Sequence, residues 1–291
     1  MQQLSGLLRT MRPRQWTKNL AIFAALLFDR KVTAPDYLAT TIAGFVLLCL
    51  ISSTIYIVND LVDIEKDRAH PTKRRRPLPS GQLSPRVATA AAVLLPLAVL
   101  PSSYALRPAL ALILATYLAL HVAYSFFLKD MVIIDVMSIA AGFVLRVVAG
   151  VVLVDVERFS PWLYICTTLL ALFLGFSKRR NELVTLREEA NNHRASLEHY
   201  SVGLLDEMIS IVTATTVVAY ALYTFSAEGL PENHLMMLTI PFVLYGIFRY
   251  LYLIHGKGEG GAPEEVLLRD RPLQATVVLW GLAVFVILYV L

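Results

Sequence analysis

An all-α, polytopic membrane protein of nine transmembrane helices is the fold class this sequence predicts, and three observations predict it. Hydrophobic residues make up 57% of the 291 positions and charged residues only 16%, with mean hydropathy +0.62. No water-facing surface can be built from that balance, which excludes a soluble enzyme. Apolar runs near the roughly 20 residues a helix needs to cross a hydrocarbon core recur along the whole chain. With the runs laid alternately across a bilayer, the basic charges between them fall mostly on one side.

The first eighteen residues carry Arg9, Arg12, Arg14 and Lys18 but no short apolar core or small-residue cleavage site, so they read as an interfacial basic segment rather than a signal peptide. Trp16 suits an interface anchor. The first span starts with the apolar run Asn19 to Phe28 and has to continue past Asp29, Arg30 and Lys31 to cross. Further spans are expected at about 38–59, 87–106, 108–128, 131–154, 159–177, 207–227, 233–255 and 273–291. Pro96, Pro101 and Pro241 are expected to kink or end their helices. Together these make one membrane domain over 1–291.

Laid alternately across a bilayer, the spans put the N-terminus and loops 60–86, 129–130, 178–206 and 256–272 on one side. Of the 26 Lys and Arg residues, 20 fall there, which makes that side cytoplasmic. Cys49 and Cys166 sit inside apolar runs and read as packing residues. The loop from Gly256 to Pro272 is glycine-rich without Walker spacing and reads as a connector. His193 and His199 show no metal-ligand pattern, and the charged stretch from Arg187 to Arg194 reads as a solvated cover.

The chemistry concentrates in Asn59 to Gly81, NDLVDIEKDRAHPTKRRRPLPSG, directly after an uncharged apolar run. At helical spacing Asn59, Asp63 and Asp67 fall four apart, with Asp60 a turn before Asp63, so their oxygens are expected on one helix face. Such a cluster at the end of a span costs desolvation unless a cation binds. Mg²⁺ is the fitting ion, because it takes few carboxylates and completes its shell with water and phosphate oxygens. Lys73, Arg74, Arg75 and Arg76 follow and can hold phosphate oxygens beyond the metal's reach; a plain cytoplasmic anchor would also account for them.

Other polar positions cluster on the same side. Tyr56, a turn before Asp60, serves either the site or the interface. Lys129 and Asp130 are loop charges, and Asp135 should face a cavity or a partner. Arg146, deep in an apolar helix, is either paired with a carboxylate or carbonyls or holds an anion. Arg249 can snorkel. Lys178, Arg179 and Arg180, with Glu182 beside them, form either an anchor or a phosphate site.

The motif Asn59-Asp60-x-x-Asp63-x-x-x-Asp67-x-x-His70-Pro71-x-Lys73, then Arg76-Pro77 and Ser80-Gly81, resembles the first signature of the UbiA superfamily of intramembrane prenyltransferases. The resemblance implies a nine-helix bundle with a central cavity open to the cytoplasm, a Mg²⁺-bound diphosphate there, and a lateral opening for a lipid chain. Typical members carry a second aspartate motif after the sixth span, where this chain has Lys178-Arg179-Arg180-Asn181-Glu182. Cations in that place suit an anion held directly by the protein.

With Arg12-Pro13-x-Gln15-Trp16-x-Lys18-Asn19 and the Tyr124–Lys129 stretch, this departure resembles the decaprenyl-phosphate phosphoribosyltransferase branch. That branch implies phosphoribosyl pyrophosphate as donor, polyprenyl phosphate as acceptor, and a lipid-linked phosphoribose that feeds arabinan synthesis. It implies Asn59, Asp60, Asp63 and Asp67 around Mg²⁺, with Asp60, Asp63 and Asp67 serving catalysis. Lys18, Tyr56, Lys73 and Arg76 would hold the donor phosphates, and Lys129, Arg146, Lys178 and Arg179 the lipid phosphate. Nucleic acid is not expected as a partner; a homo-oligomer is left open. The nearest rival is prenyl transfer to an aromatic or quinone-precursor acceptor. A transporter without chemistry would want paired, broken intramembrane helices, which the sequence lacks.

Overall fold

In the computed structural model residues 2–156, 161–186, 195–227, 230–257, 266–267 and 269–291 are described, and their regular structure is helical throughout. The stretch from Arg187 to Arg194 and most of the loop from Gly256 to Pro272 lie outside the described residues. In chain order the α-helices are α1 Gln2–Thr10, α2 Ala24–Phe28, α3 Pro35–Val62, α4 Ile64–Ala69, α5 Pro85–Leu106, α6 Pro108–Phe126, α7 Ile134–Val154, α8 Pro161–Leu186, α9 Val202–Ser226, α10 Ile240–Gly256 and α11 Arg271–Tyr289.

Most long helices open on proline, whose missing N–H is not needed in a first turn. Ser84, Ser201 and Asp270 add side-chain caps, accepting from the N–H of Val87, Leu204 and Leu273. Pro96 and Pro101 sit inside an uninterrupted α5, and Pro241 lies in the first turn of α10, so none of the three ends its helix.

Eight described helical segments are long and apolar enough to cross a membrane: Pro35–Val62, Pro85–Leu106, Pro108–Phe126, Ile134–Val154, Pro161–Thr185, Val202–Ser226, Leu235–Gly256 and Arg271–Tyr289. They answer to eight of the nine expected spans. The expected first span does not take that form. Asn19 to Phe23 finish a 3₁₀ helix, Pro13–Phe23, and Ala24–Phe28 make only the short α2. The run is apolar because it is packed inside, with Ile22, Ala25 and Leu26 all buried; hydropathy reports burial and not the hydrogen-bond period. Arg30, in the left-handed region at φ 55, closes it.

The chain divides into two compact units. Unit 1 holds residues 1–26, 31–131 and 145–156, and its core gathers Ile22, Leu48, Ile51, Leu110, Leu114 and Leu153. Gly150 is where two backbones meet in this unit: a Cβ there would collide with the Ile22 carbonyl oxygen. Such small-residue approach is how apolar helices pack without a hydrophobic driving force. Unit 2 holds 27–30, 132–144 and 157–291. One of its cores gathers Val136, Phe173, Leu205, Ile209 and Leu253, and the other Tyr220, Tyr223, Met236 and Val284. Large apolar side chains such as Val93, Leu94, Leu97 and Leu112 are turned outward, the surface a lipid solvent requires.

Candidate active site

The acidic stretch sits where α3 ends, and the structure corrects the single helix face expected for it. α3 stops at Val62, Asp63 takes the cap position at φ −94 and ψ 9, and Asp67 belongs to α4. The backbone bonds Asp63 N–H to Asn59 C=O and Asp67 N–H to Asp63 C=O persist across the break, so the acids stay close while the face turns. The apolar run loses its burial value once it leaves the span, and the polar cap takes over.

Each acid is held by cations. Asp60, only 1% exposed, receives Arg12 Nη2 on Oδ1 at 2.5 Å and Arg76 Nη1 on the same oxygen at 3.2 Å. The same Arg76 nitrogen reaches Asp67 Oδ2 at 2.5 Å, while Lys73 Nζ lies 4.0 Å from Asp67 Oδ1. Asp63 pairs with Lys129 Nζ at 2.8 Å. Lys129, expected among the lipid-phosphate ligands, is thus buried beside the acid cluster. His70 orders the basic run: its Nδ1 accepts from the N–H of Thr72 and Lys73, which starts the 3₁₀ turn Lys73–Arg75. Tyr56 presents its ring face to Arg12, whose guanidinium carbon lies 5.0 Å from the ring centroid. Asn59 and Lys18 are half-buried.

The donor set fits a hard divalent ion. Among the described residues no three His, Cys, Asp or Glu side chains come together as a ready metal centre, and Mg²⁺ does not need one, since one or two carboxylates plus phosphate and water suffice. A cationic nitrogen already lies between Asp60 and Asp67, where all-oxygen donors favour positive charge.

Arg146 has a different setting within unit 1. It is 5% exposed and donates from Nε to Asn19 Oδ1 at 2.9 Å and from Nη2 to the Tyr117 hydroxyl at 2.5 Å. Asn19 in turn donates to Cys49 Sγ and Ser52 Oγ. A carboxylate, carbonyls or an anion were the partners expected for it; the structure gives it the Asn19 amide oxygen and, unforeseen, the Tyr117 hydroxyl.

In unit 2, Arg179 is buried against Asp135, Nε to Oδ2 at 2.6 Å, and against Glu182, Nη1 to Oε2 at 2.6 Å. Arg180 pairs with Asp206, and Lys178 is half-buried. The Tyr200 hydroxyl donates to Asp135 Oδ1 at 3.0 Å and accepts from the N–H of Ile133, a β-branched residue in the left-handed region at φ 68. Burial pushes the Tyr200 phenol up to about 12, so it stays a donor at physiological pH. Tyr200→Phe removes both bonds and is expected to lower stability by about 1–3 kcal/mol, seen as a lower Tm in detergent; an unchanged Tm would rule out the brace.

Sequence reasoning passed over Arg12, Asn19 and Tyr117 as site components, and Tyr200 altogether. Arg12 and Asn19 stand in the amino-terminal motif, and Tyr117 is a lone hydroxyl inside an apolar span, which was a usable signal. Tyr200 gave none.

Residues 20–264 match the UbiA prenyltransferase family. Over 95% of this chain and 90% of its own length, a decaprenyl-phosphate phosphoribosyltransferase of Mycolicibacterium smegmatis is 37% identical. A Corynebacterium glutamicum protein of the same name is 33% identical over 98% of this chain and 87% of its own. Among solved structures, a UbiA homolog from Archaeoglobus fulgidus bound to DMAPP and Mg²⁺ superposes with TM-score 0.72 at 19% identity, covering 98% of this chain and 99% of that one.

Proposed function

Because the chain belongs to the UbiA prenyltransferase family, we propose that its acidic cluster serves transfer of 5-phosphoribose from phosphoribosyl pyrophosphate to a polyprenyl phosphate such as decaprenyl phosphate. The relatives that match nearly its whole length carry that activity in their names. The observation that carries the reading is the charge around the cluster: three aspartates faced by Arg12, Lys73, Arg76 and Lys129. That surplus suits a polyphosphate, whose charge one divalent ion does not cancel.

In this reading 1–291 is one catalytic domain in the plasma membrane, its acidic end facing the cytoplasm. Asn59, Asp60, Asp63 and Asp67 would hold Mg²⁺, which when bound supplies charge neutralisation to the departing pyrophosphate. Lys18, Tyr56, Lys73 and Arg76 position the donor phosphates, and Lys129, seated on Asp63, joins them. Lys178 and Arg179 are assigned to the lipid phosphate, Arg179 being oriented by Asp135 and Glu182. Arg146 is kept as a buried anion holder ordered by Asn19 and Tyr117. An acceptor phosphate oxygen attacks the anomeric carbon as the bond to pyrophosphate breaks with its electron pair. That oxygen is already ionised at neutral pH, so no general base is needed.

Purified protein with Mg²⁺, phosphoribosyl pyrophosphate and polyprenyl phosphate is expected to give lipid-linked phosphoribose by mass spectrometry. A product from a prenyl diphosphate and an aromatic acceptor, with none from phosphoribosyl pyrophosphate, would replace this reading by prenyl transfer.

A further inference from the structure

The cations on the acid cluster bear on how the metal arrives. Asp60 and Asp67 are almost fully buried, with side chains 1% and 4% exposed, whereas Arg12 and Arg76 are each 29% exposed and reach in from the surface. The partners with open space to withdraw into are therefore the arginines. Arg76 stands on the loop after α4 rather than in a long helix, and one of its nitrogens bridges both acids. Lys129 closes the third acid. Counted together, Arg12, Lys73, Arg76 and Lys129 outnumber the three aspartates by one.

A bare divalent cation approaching this set meets a positive excess and has to shed water that Mg²⁺ gives up reluctantly. It would also have to expel Arg76 into water, bringing no anion to receive it. A metal–diphosphate complex meets neither obstacle: it is anionic overall, part of its hydration is already replaced by phosphate, and its oxygens accept the displaced guanidinium. We infer that the cluster takes up its divalent ion only as a metal–diphosphate complex, with Arg76 as the exchange cation that moves from Asp60 and Asp67 onto the diphosphate. Metal and donor then bind as one unit, and free Mg²⁺ in the cell does not load the site. The inference rests on the cluster being the donor's metal site, and not on which diphosphate is the donor.

Mn²⁺ uptake by the full-length protein in detergent, read by electron paramagnetic resonance, tests this without turnover. Wild type is expected to take up Mn²⁺ at least about tenfold more tightly with pyrophosphate present than without. Arg76→Gln is expected to bind Mn²⁺ alone at least about tenfold more tightly than wild type does, and to lose most of the pyrophosphate dependence. Arg12→Gln, which also lightens the positive charge on Asp60, gives the same direction of change should Arg76→Gln fail to fold. Equal Mn²⁺ affinity of wild type with and without pyrophosphate, or no gain in either variant, overturns the inference. Uptake promoted by pyrophosphate and a prenyl diphosphate but not by phosphoribosyl pyrophosphate leaves it standing and removes the proposed donor instead.

Discussion

Asp63→Ala is expected to lower transfer by about 10²–10³-fold or more in kcat, the scale on which loss of one charge-stabilising group at a reacting centre registers. Asp63 ends α3, and its carboxylate is the one that Lys129 holds. Alanine suits the same backbone, so the helix end is kept. The variant does strand the buried Lys129 ammonium, which costs stability on its own. The double variant Asp63→Ala with Lys129→Met separates the effects: it should regain the Tm lost in the single variant while turnover stays down. Activity of Asp63→Ala near that of wild type would dismiss the carboxylate from the reaction.

The largest structural effect is expected from Gly150→Leu. At this position the obstruction is the backbone carbonyl of Ile22, which cannot turn aside as a side chain does. Inserting atoms into a packed site costs about 1–3 kcal/mol where neighbours can shift, and more where they cannot. The variant should fail to give a monodisperse peak in size-exclusion chromatography. Gly44→Ala is the control, since the added carbon there meets only the flexible end of Leu153. Equal behaviour of the two variants would refute the close approach.

How far the fold and site could be read from the sequence depended on the range of the interactions. Spans from α3 onward were legible because each is a local run of apolar residues between charged or capped ends. The segment 13–28 was not, since its burial comes from distant partners such as Gly150. The acids of 59–67 were legible as a local pattern, and so was Arg76, nine residues from Asp67. Arg12 and Lys129 join them from 48 and 66 positions away, a pairing no local pattern records. Arg179 drew notice as part of a cationic run, yet the run does not reveal that it is buried against Asp135, 44 positions earlier.

The spacing of these partners along the chain has a consequence for biogenesis. As the polypeptide leaves the ribosome, Arg12 precedes α3, so Asp60 emerges with its counter-charge already made. Asp67 follows with Arg76 close behind. Asp63 alone has to await Lys129, which appears only after α5 and α6 have been threaded into the bilayer. Trimming the amino-terminal arm up to Pro13 would therefore leave Asp60 to reach the insertion machinery ahead of Arg76, its one remaining described partner, lowering the yield of membrane-integrated chains before any catalytic step is at stake.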